Sequence, residues 1–185
     1  MTTDDDQRSR GQNSALDEVE KQLSVDGPVT DMTPSHHVVV GFDRHPSSQQ
    51  ALRFAITLAA PLNAHLHVAH IVDLEDFPID PDSDDWEQRL ADALAQERTV
   101  ACDLLAGSAG KWTYTAHHGD PAHVLAALAD THDAWMIILG TARGGVMSAV
   151  DRALGVSVSA HLLRHARRPV VMVPDISASM TKDLE

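Results

Sequence analysis

Short apolar runs alternate with helical patterns along this chain, and that alternation limits its possible folds more than any other feature. Residues 38–42 (VVVGF) are apolar on both sides of an extended chain, as expected of a strand covered on both faces. Pro46 then opens a helix in which Ala51, Leu52, Ala55, Ile56, Leu58, Ala59 and Leu62 recur at helical spacing until Asn63 and Ala64 end it. Residues 65–72 form the second strand. Residues 73–85, rich in Asp and Pro, form an acidic loop without regular structure. A long amphipathic helix follows, with Trp86, Leu90, Leu94, Ala101, Leu104 and Leu105 toward the core and Gly107 near its stop. Residues 111–116 form the third strand. Asp120 caps the next helix with Pro121 at its first position, and Val124, Leu125 and Leu128 form its buried stripe. Residues 135–139 form the fourth strand, with Trp135 in the core, and Val170–Val173 the fifth. The reading is a doubly wound α/β domain: a mostly parallel five-stranded sheet with helices on both faces and right-handed crossovers.

The chain has 185 residues and 43% hydrophobic content, enough for one domain with a sizeable core and some unstructured remainder. No apolar run is long enough for a membrane helix. A net charge of −13 argues against nonspecific binding to nucleic acid or an anionic membrane. Cys102 is the single cysteine, so no disulfide framework or thiol metal cluster exists, and the N-terminus lacks a basic flank with an apolar core. These features lead us to expect a cytoplasmic protein. Residues 1–35 read as an acidic disordered tail, residues 36–175 as the folded domain and residues 176–185 as a polar tail.

Sheets of this kind bind ligands outside the carboxyl ends of their strands, near the point where strand order reverses. Gly41 and Asp43 at the end of strand one, Ile71 at the end of strand two, and the loop carrying Gly140, Thr141, Arg143, Gly144 and Gly145 converge there. An Asp after strand one can hydrogen-bond a ribose hydroxyl or a base. The glycines permit sharp turns and close backbone approach. Ser157 and Val158 begin a helical pattern, where free N–H groups can meet an anion. Neither a Walker Gly-Lys-Ser/Thr motif nor a Gly-x-Gly-x-x-Gly after strand one is present. The residues alone indicate a nucleotide site of modest specificity.

VVGFD ending at Asp43, PSSQQAL from Pro46, HHGDPA from His117, ILGT from Ile138, SVSAHLLRHA from Ser157 and RPVVMVP from Arg168 together resemble the universal stress protein family. The pieces occur in order across the folded part of the chain, from about His37 to Pro174. The resemblance implies an adenine nucleotide alpha hydrolase-like domain with strand order 3-2-1-4-5. It implies a homodimer, commonly through the last strand, here Val170–Val173, and ATP as the candidate cofactor. ATP-binding members carry Gly-x-x-Gly, a spacer, then Gly-Ser/Thr. Here Gly140 matches the first glycine, Arg143 stands at the second and Val156 at the third, in a longer loop. A register slip of one residue would bring Gly155 to the third position. A Cβ at these points crowds a phosphate, whereas the Arg143 guanidinium can bind one as a fork.

The expected function is therefore a stress-response or regulatory module with adenine-nucleotide binding and no efficient catalysis, its protein partner left open. The alternatives are a nucleotide-hydrolysing or nucleotidyl-transferring enzyme on a related fold, which needs a second acid beside the phosphates, and a nucleotide-free interaction scaffold. The chain holds twelve histidines. His65 and His67 share a strand face, with His117 and His118 near the end of the neighbouring strand, yet no compact metal motif occurs; we read the histidines as scattered and assign no metal. His45 reads as a turn residue, Ser157 as a helix cap instead of a nucleophile, and Cys102 as packing. The acidic run at 80–85 lacks the glycine and distal Glu of a Ca²⁺ loop.

Overall fold

The computed structural model describes residues 23–28, 33–43, 45–72, 85–141, 162, 164 and 166–175, apart from the Glu87 side chain. Its elements are β1 (Val25–Asp26), β2 (His36–Phe42), α1 (Pro46–Leu62), β3 (Ala64–Val72), α2 (Trp86–Leu105), β4 (Trp112–His118), α3 (Pro121–Thr131), β5 (Met136–Gly140) and β6 (Val170–Val173). They form one six-stranded sheet in the order β1-β4-β3-β2-β5-β6. All neighbours are parallel except the outermost pair, β1 with β4. Without β1 this is the expected order, and β2 is the central strand from which the chain winds first one way and then the other.

The two faces of the sheet carry different layers. Val38, Val40 and Phe42 of β2, Leu66 and Val68 of β3, Tyr114 of β4 and Ile138 of β5 pack under Ala51, Leu52, Ala55 and Ala59 of α1 and Ala101 and Leu105 of α2. On the opposite face, Val39, Ala69, Ile137 and Leu139 meet Ala122, Leu125 and Ala129 of α3, together with Leu162. Burial on both faces is what made these strands read as continuous apolar runs. Small alanines on both α1 and α3 let the helices lie close to the sheet.

The helix signals in the sequence correspond to real caps. Asp120 Oδ1 accepts from the His123 N–H at 2.8 Å, with Pro121 following as the first helical residue. Asn63 ends α1 in the left-handed conformation at φ 44°, and its side-chain amide donates to Thr33 O at 3.0 Å. The buried stripe of α3 falls on Ala122, Leu125 and Ala129, with Val124 only partly buried.

Three readings are corrected. The sheet has six strands, because part of the segment assigned to the acidic tail joins it: Val25 and Asp26 lie opposite Tyr114 and Thr113. Leu23 is 6% exposed and packs with Val72, Leu90, Leu94 and Ala116, while Gly27 N–H donates to Trp112 O at 2.7 Å. A two-residue strand has no periodicity to read, and the surrounding acids masked its one apolar anchor. The third strand extends through His117 and His118. Trp135 precedes β5 and is 47% exposed, its indole stacked on the His36 ring at 3.4 Å between centroids. The acidic loop at 73–84 and residues 1–22 and 176–185 lie outside the described residues.

The anchoring of β1 is testable. Leu23→Ala is expected to cost about 2 kcal/mol or more of unfolding free energy in urea, whereas a solvated leader would leave the unfolding midpoint unchanged.

Candidate functional site

The carboxyl ends of β2 and β5 are held together by the first turn of α1. The Asp43 N–H donates to Ser48 Oγ at 2.8 Å, and that hydroxyl lies 3.5 Å from Gly41 O. Gly140 ends β5 against the same turn: a Cβ there would meet the Ser47 carbonyl oxygen and the Ser48 nitrogen, each at 2.6 Å. Its φ is not in the left-handed region, so the requirement for glycine is steric. Ser47 and Ser48 are buried accordingly. Beside the ligand role expected of Gly140, the structure gives it a packing role: its bare Cα admits the helix.

Asp43 stands at the rim. Its carboxylate is 56% exposed and Oδ1 accepts from the His45 N–H at 2.8 Å. His45 Nδ1 lies 3.2 Å from the same oxygen. Gly41 faces the α3 layer, where a Cβ would meet Leu139 Cδ2 at 2.5 Å. Thr141 has its N–H bonded to Val173 O at 2.8 Å, so that amide extends the β5–β6 ladder. Ile71, half-buried near the end of β3, packs with the α3 layer opposite His117 of β4. Gly41, Asp43 and Gly140 are thus gathered around Ser47 and Ser48, while Ile71 lies further along the rim. Arg143, Gly144, Gly145, Ser157 and Val158, and with them Gly155 and Val156, lie outside the described residues.

Beneath this rim lies a buried pair that the sequence reading missed. His70 Nδ1 is 3.1 Å from Phe42 O and 3.1 Å from Glu97 Oε2 of α2. The ring nitrogen thus ties β3 to the last residue of β2 through Phe42 O and sits beside the Glu97 carboxylate of α2. No local motif links residues 70 and 97; only the packing of α2 over β3 does. The Tyr114 hydroxyl nearby is pushed well above its usual range by burial and then by the Glu97 charge. Burial likewise raises the Cys102 thiol, which keeps it protonated and unreactive at neutral pH.

At the opposite, amino end of the sheet the structure gathers what sequence reading left scattered. His37, His65 and His67 project from the α3 face of β2 and β3, and one nitrogen of each lies within 4.8 Å of the others. His132, at the C-terminal cap of α3, stacks on His67 at 3.7 Å between ring centroids. His117 is not part of the group; its Nε2 is 2.8 Å from Thr115 Oγ1 toward the other end of β4.

The comparisons with known proteins bear on the whole of this domain. The model of the Universal stress protein family matches residues 34–174. The chain belongs to the universal stress protein family. A family protein of Methanocaldococcus jannaschii is 26% identical over 140 residues, covering 74% of this chain and 80% of its own. One of Mycobacterium tuberculosis is 30% identical over 151 residues, covering 77% of this chain; the chain spans only 49% of that relative's length. Among solved structures, a universal stress protein in complex with cAMP is 27% identical, with a TM-score of 0.53, covering 77% of this chain and 99% of its own. Among the described residues, no helix of this family member is long and apolar enough to cross a membrane.

The close contact at Gly140 makes a direct prediction. Gly140→Ala pushes against backbone atoms that cannot swing aside, so it should destabilise the fold by about 1–3 kcal/mol in a denaturant titration. An unchanged midpoint would mean that α1 does not sit against β5 as described.

Proposed function

We propose that this chain is a stress-response or regulatory module that binds an adenine nucleotide weakly at the carboxyl ends of β2 and β5, without efficient catalysis, in the cytoplasm. The observation carrying this reading is the Asp43 carboxylate, oriented by the His45 N–H beside the junction of Gly140 and α1. The cAMP complex of a structurally similar family member supports an adenine nucleotide as the ligand class. Asp43 would accept from a ribose hydroxyl or the base, with Gly41 and Ile71 along the rim. Gly140, Thr141, Arg143, Gly144, Gly145, Ser157 and Val158 are the residues proposed on the phosphate side, Arg143 as a guanidinium clamp. Since the Thr141 N–H belongs to the sheet, its contribution would come through the side chain or carbonyl. A carboxylate so exposed suits holding a hydroxyl better than proton transfer, which favours a water-excluded site.

Calorimetric titration of ATP, AMP and cAMP tests the reading. Asp43→Ala is expected to weaken nucleotide binding by about tenfold, the loss of one charge-assisted hydrogen bond. Absence of heat and of any thermal shift at millimolar nucleotide would overturn it and leave an interaction scaffold.

The module is further proposed to act as a homodimer through Val170–Val173. β6 is the last strand on its side of the sheet among the described residues, and its residues are only partly buried. Ile137 N–H donates to Pro169 O and Thr141 N–H to Val173 O, an alternation that turns the N–H groups of Val170 and Met172 away from β5. Such an edge is a template for another strand. Met172→Pro removes an outward donor without touching the ladder to β5. Native mass spectrometry should then show the dimer shifted to monomer with the fold intact; an unmoved dimer would place the interface elsewhere.

A further inference from the structure

We propose that His37, His65 and His67 form a divalent transition-metal site, with Zn²⁺ as its ion, on the α3 face at the amino ends of β2 and β3. This site is separate from the nucleotide rim. His67 and Ile71 lie four residues apart on one strand, about 13 Å, and neither proposal depends on the other.

The backbone fixes the three side chains. His37 and His65 are direct partners in the β2–β3 ladder, and His67 is opposite Val39. All three therefore emerge from one face of two rigid strands, where a constellation is held better than on loops. His37 Nδ1 is already 2.9 Å from His67 Nε2, and the three donor atoms lie within 4.8 Å of one another. Zn–N bonds of 2.0–2.1 Å place tetrahedral ligand nitrogens about 3.4 Å apart. Side-chain rotation alone covers that difference. The rings now stack, His65 on His67 at 4.2 Å between centroids and 8° between planes. A shared ion would turn them edge-on toward a common point.

The proton inventory also suits a metal. His65 Nε2 is 2.8 Å from Thr113 Oγ1 of β4. With its proton directed there, Nδ1 keeps the lone pair, as an outer partner does for a metal-bound imidazole. In the His37–His67 contact one nitrogen donates and the other accepts. Binding would replace that bond: the donor ring takes its proton on its far nitrogen, both rings stay neutral, and no proton leaves the protein. Burial, followed for His67 by the neighbouring imidazoles, holds it near 3; burial and then His37 hold His65 near 4. The charged groups acting on His65 are Asp26 of β1, which favours a cation, and Lys111, which opposes one.

Ligand type selects the ion. Three imidazoles without thiolate or clustered carboxylates suit Zn²⁺ and its borderline neighbours and not Mg²⁺ or Ca²⁺, which require oxygen. Three protein ligands leave a fourth position, and His132, stacked on His67, is the nearest further imidazole. Several close-packed imidazoles, two of them within hydrogen-bond distance of each other, are an unusual use of a sheet face that an apolar residue would fill at no polar cost.

The full chain, treated with chelator and desalted, is titrated with Zn²⁺ by calorimetry, with Mg²⁺ as control. One Zn²⁺ per chain is expected, with no Mg²⁺ heat. His37→Ala and His67→Gln should each weaken binding more than about tenfold, and Thr113→Val by about tenfold, while His117→Ala leaves it unchanged. Circular dichroism and urea midpoints report whether each variant folds. Histidine ring ¹H–¹⁵N spectra of the unaltered chain need no variant: Zn²⁺ should move the resonances of His37, His65 and His67. No binding at micromolar Zn²⁺, affinity unaltered in His37→Ala and His67→Gln, or shifts confined to other histidines would overturn the proposal.

Discussion

The parallel ladder of β2 against β3 is the constraint on which the rest of the molecule depends. Seven consecutive residue pairs, from His36 opposite Ala64 to Phe42 opposite His70, lock the register of the two strands. A slip of one residue would carry Val38, Val40 and Phe42 away from α1 and turn His37, Val39 and Gly41 toward it instead. The same register sets both ends of the sheet. At the carboxyl end it delivers Gly41 and Asp43 to the first turn of α1, and at the amino end it sets His37 beside His65. One ladder therefore positions an exposed carboxylate and a cluster of imidazoles from a single set of backbone hydrogen bonds.

The architecture was legible because hydrophobic periodicity and end signals agreed. Runs buried on both faces, Asp120 with Pro121 at one helix start and Asn63 at another helix end all point to the same element order, and the order agrees with the sheet. Legibility failed where the deciding interaction is between residues far apart in sequence. β1 is two residues long and is anchored by Leu23, whose partners come from β3, α2 and β4. Trp135 carries the apolar signal of a strand yet sits just before one, where its ring finds His36 instead of the core.

The candidate site divides along the same line. Asp43 was legible because the end of strand one in such a sheet is a rim position whatever the details. Gly140 was legible as a special glycine, but its packing role was not: no local pattern says that the first turn of α1 will press on it. His70 with Glu97, and His37 with His65 and His67, could not be paired from sequence, since histidine has no periodicity of its own and the pairs form only through strand register and helix docking. Alternation along β3 did place His65 and His67 on one face; the third member comes from the neighbouring strand, and the fourth ring from the helix that returns to it.

The short strand β1 has a consequence for assembly. By lying antiparallel along Thr113 and Tyr114, it makes the two outer strands of the sheet unlike, a two-residue antiparallel strand on one side and the four-residue parallel β6 on the other. A sheet open on both sides can add copies indefinitely and grow into a fibre. A sheet whose two edges differ pairs its longer margin best with the same margin of a second copy about a two-fold axis, and growth then stops. Two residues at the start of the domain thus make the edges unequal and would bias any edge-to-edge pairing toward β6.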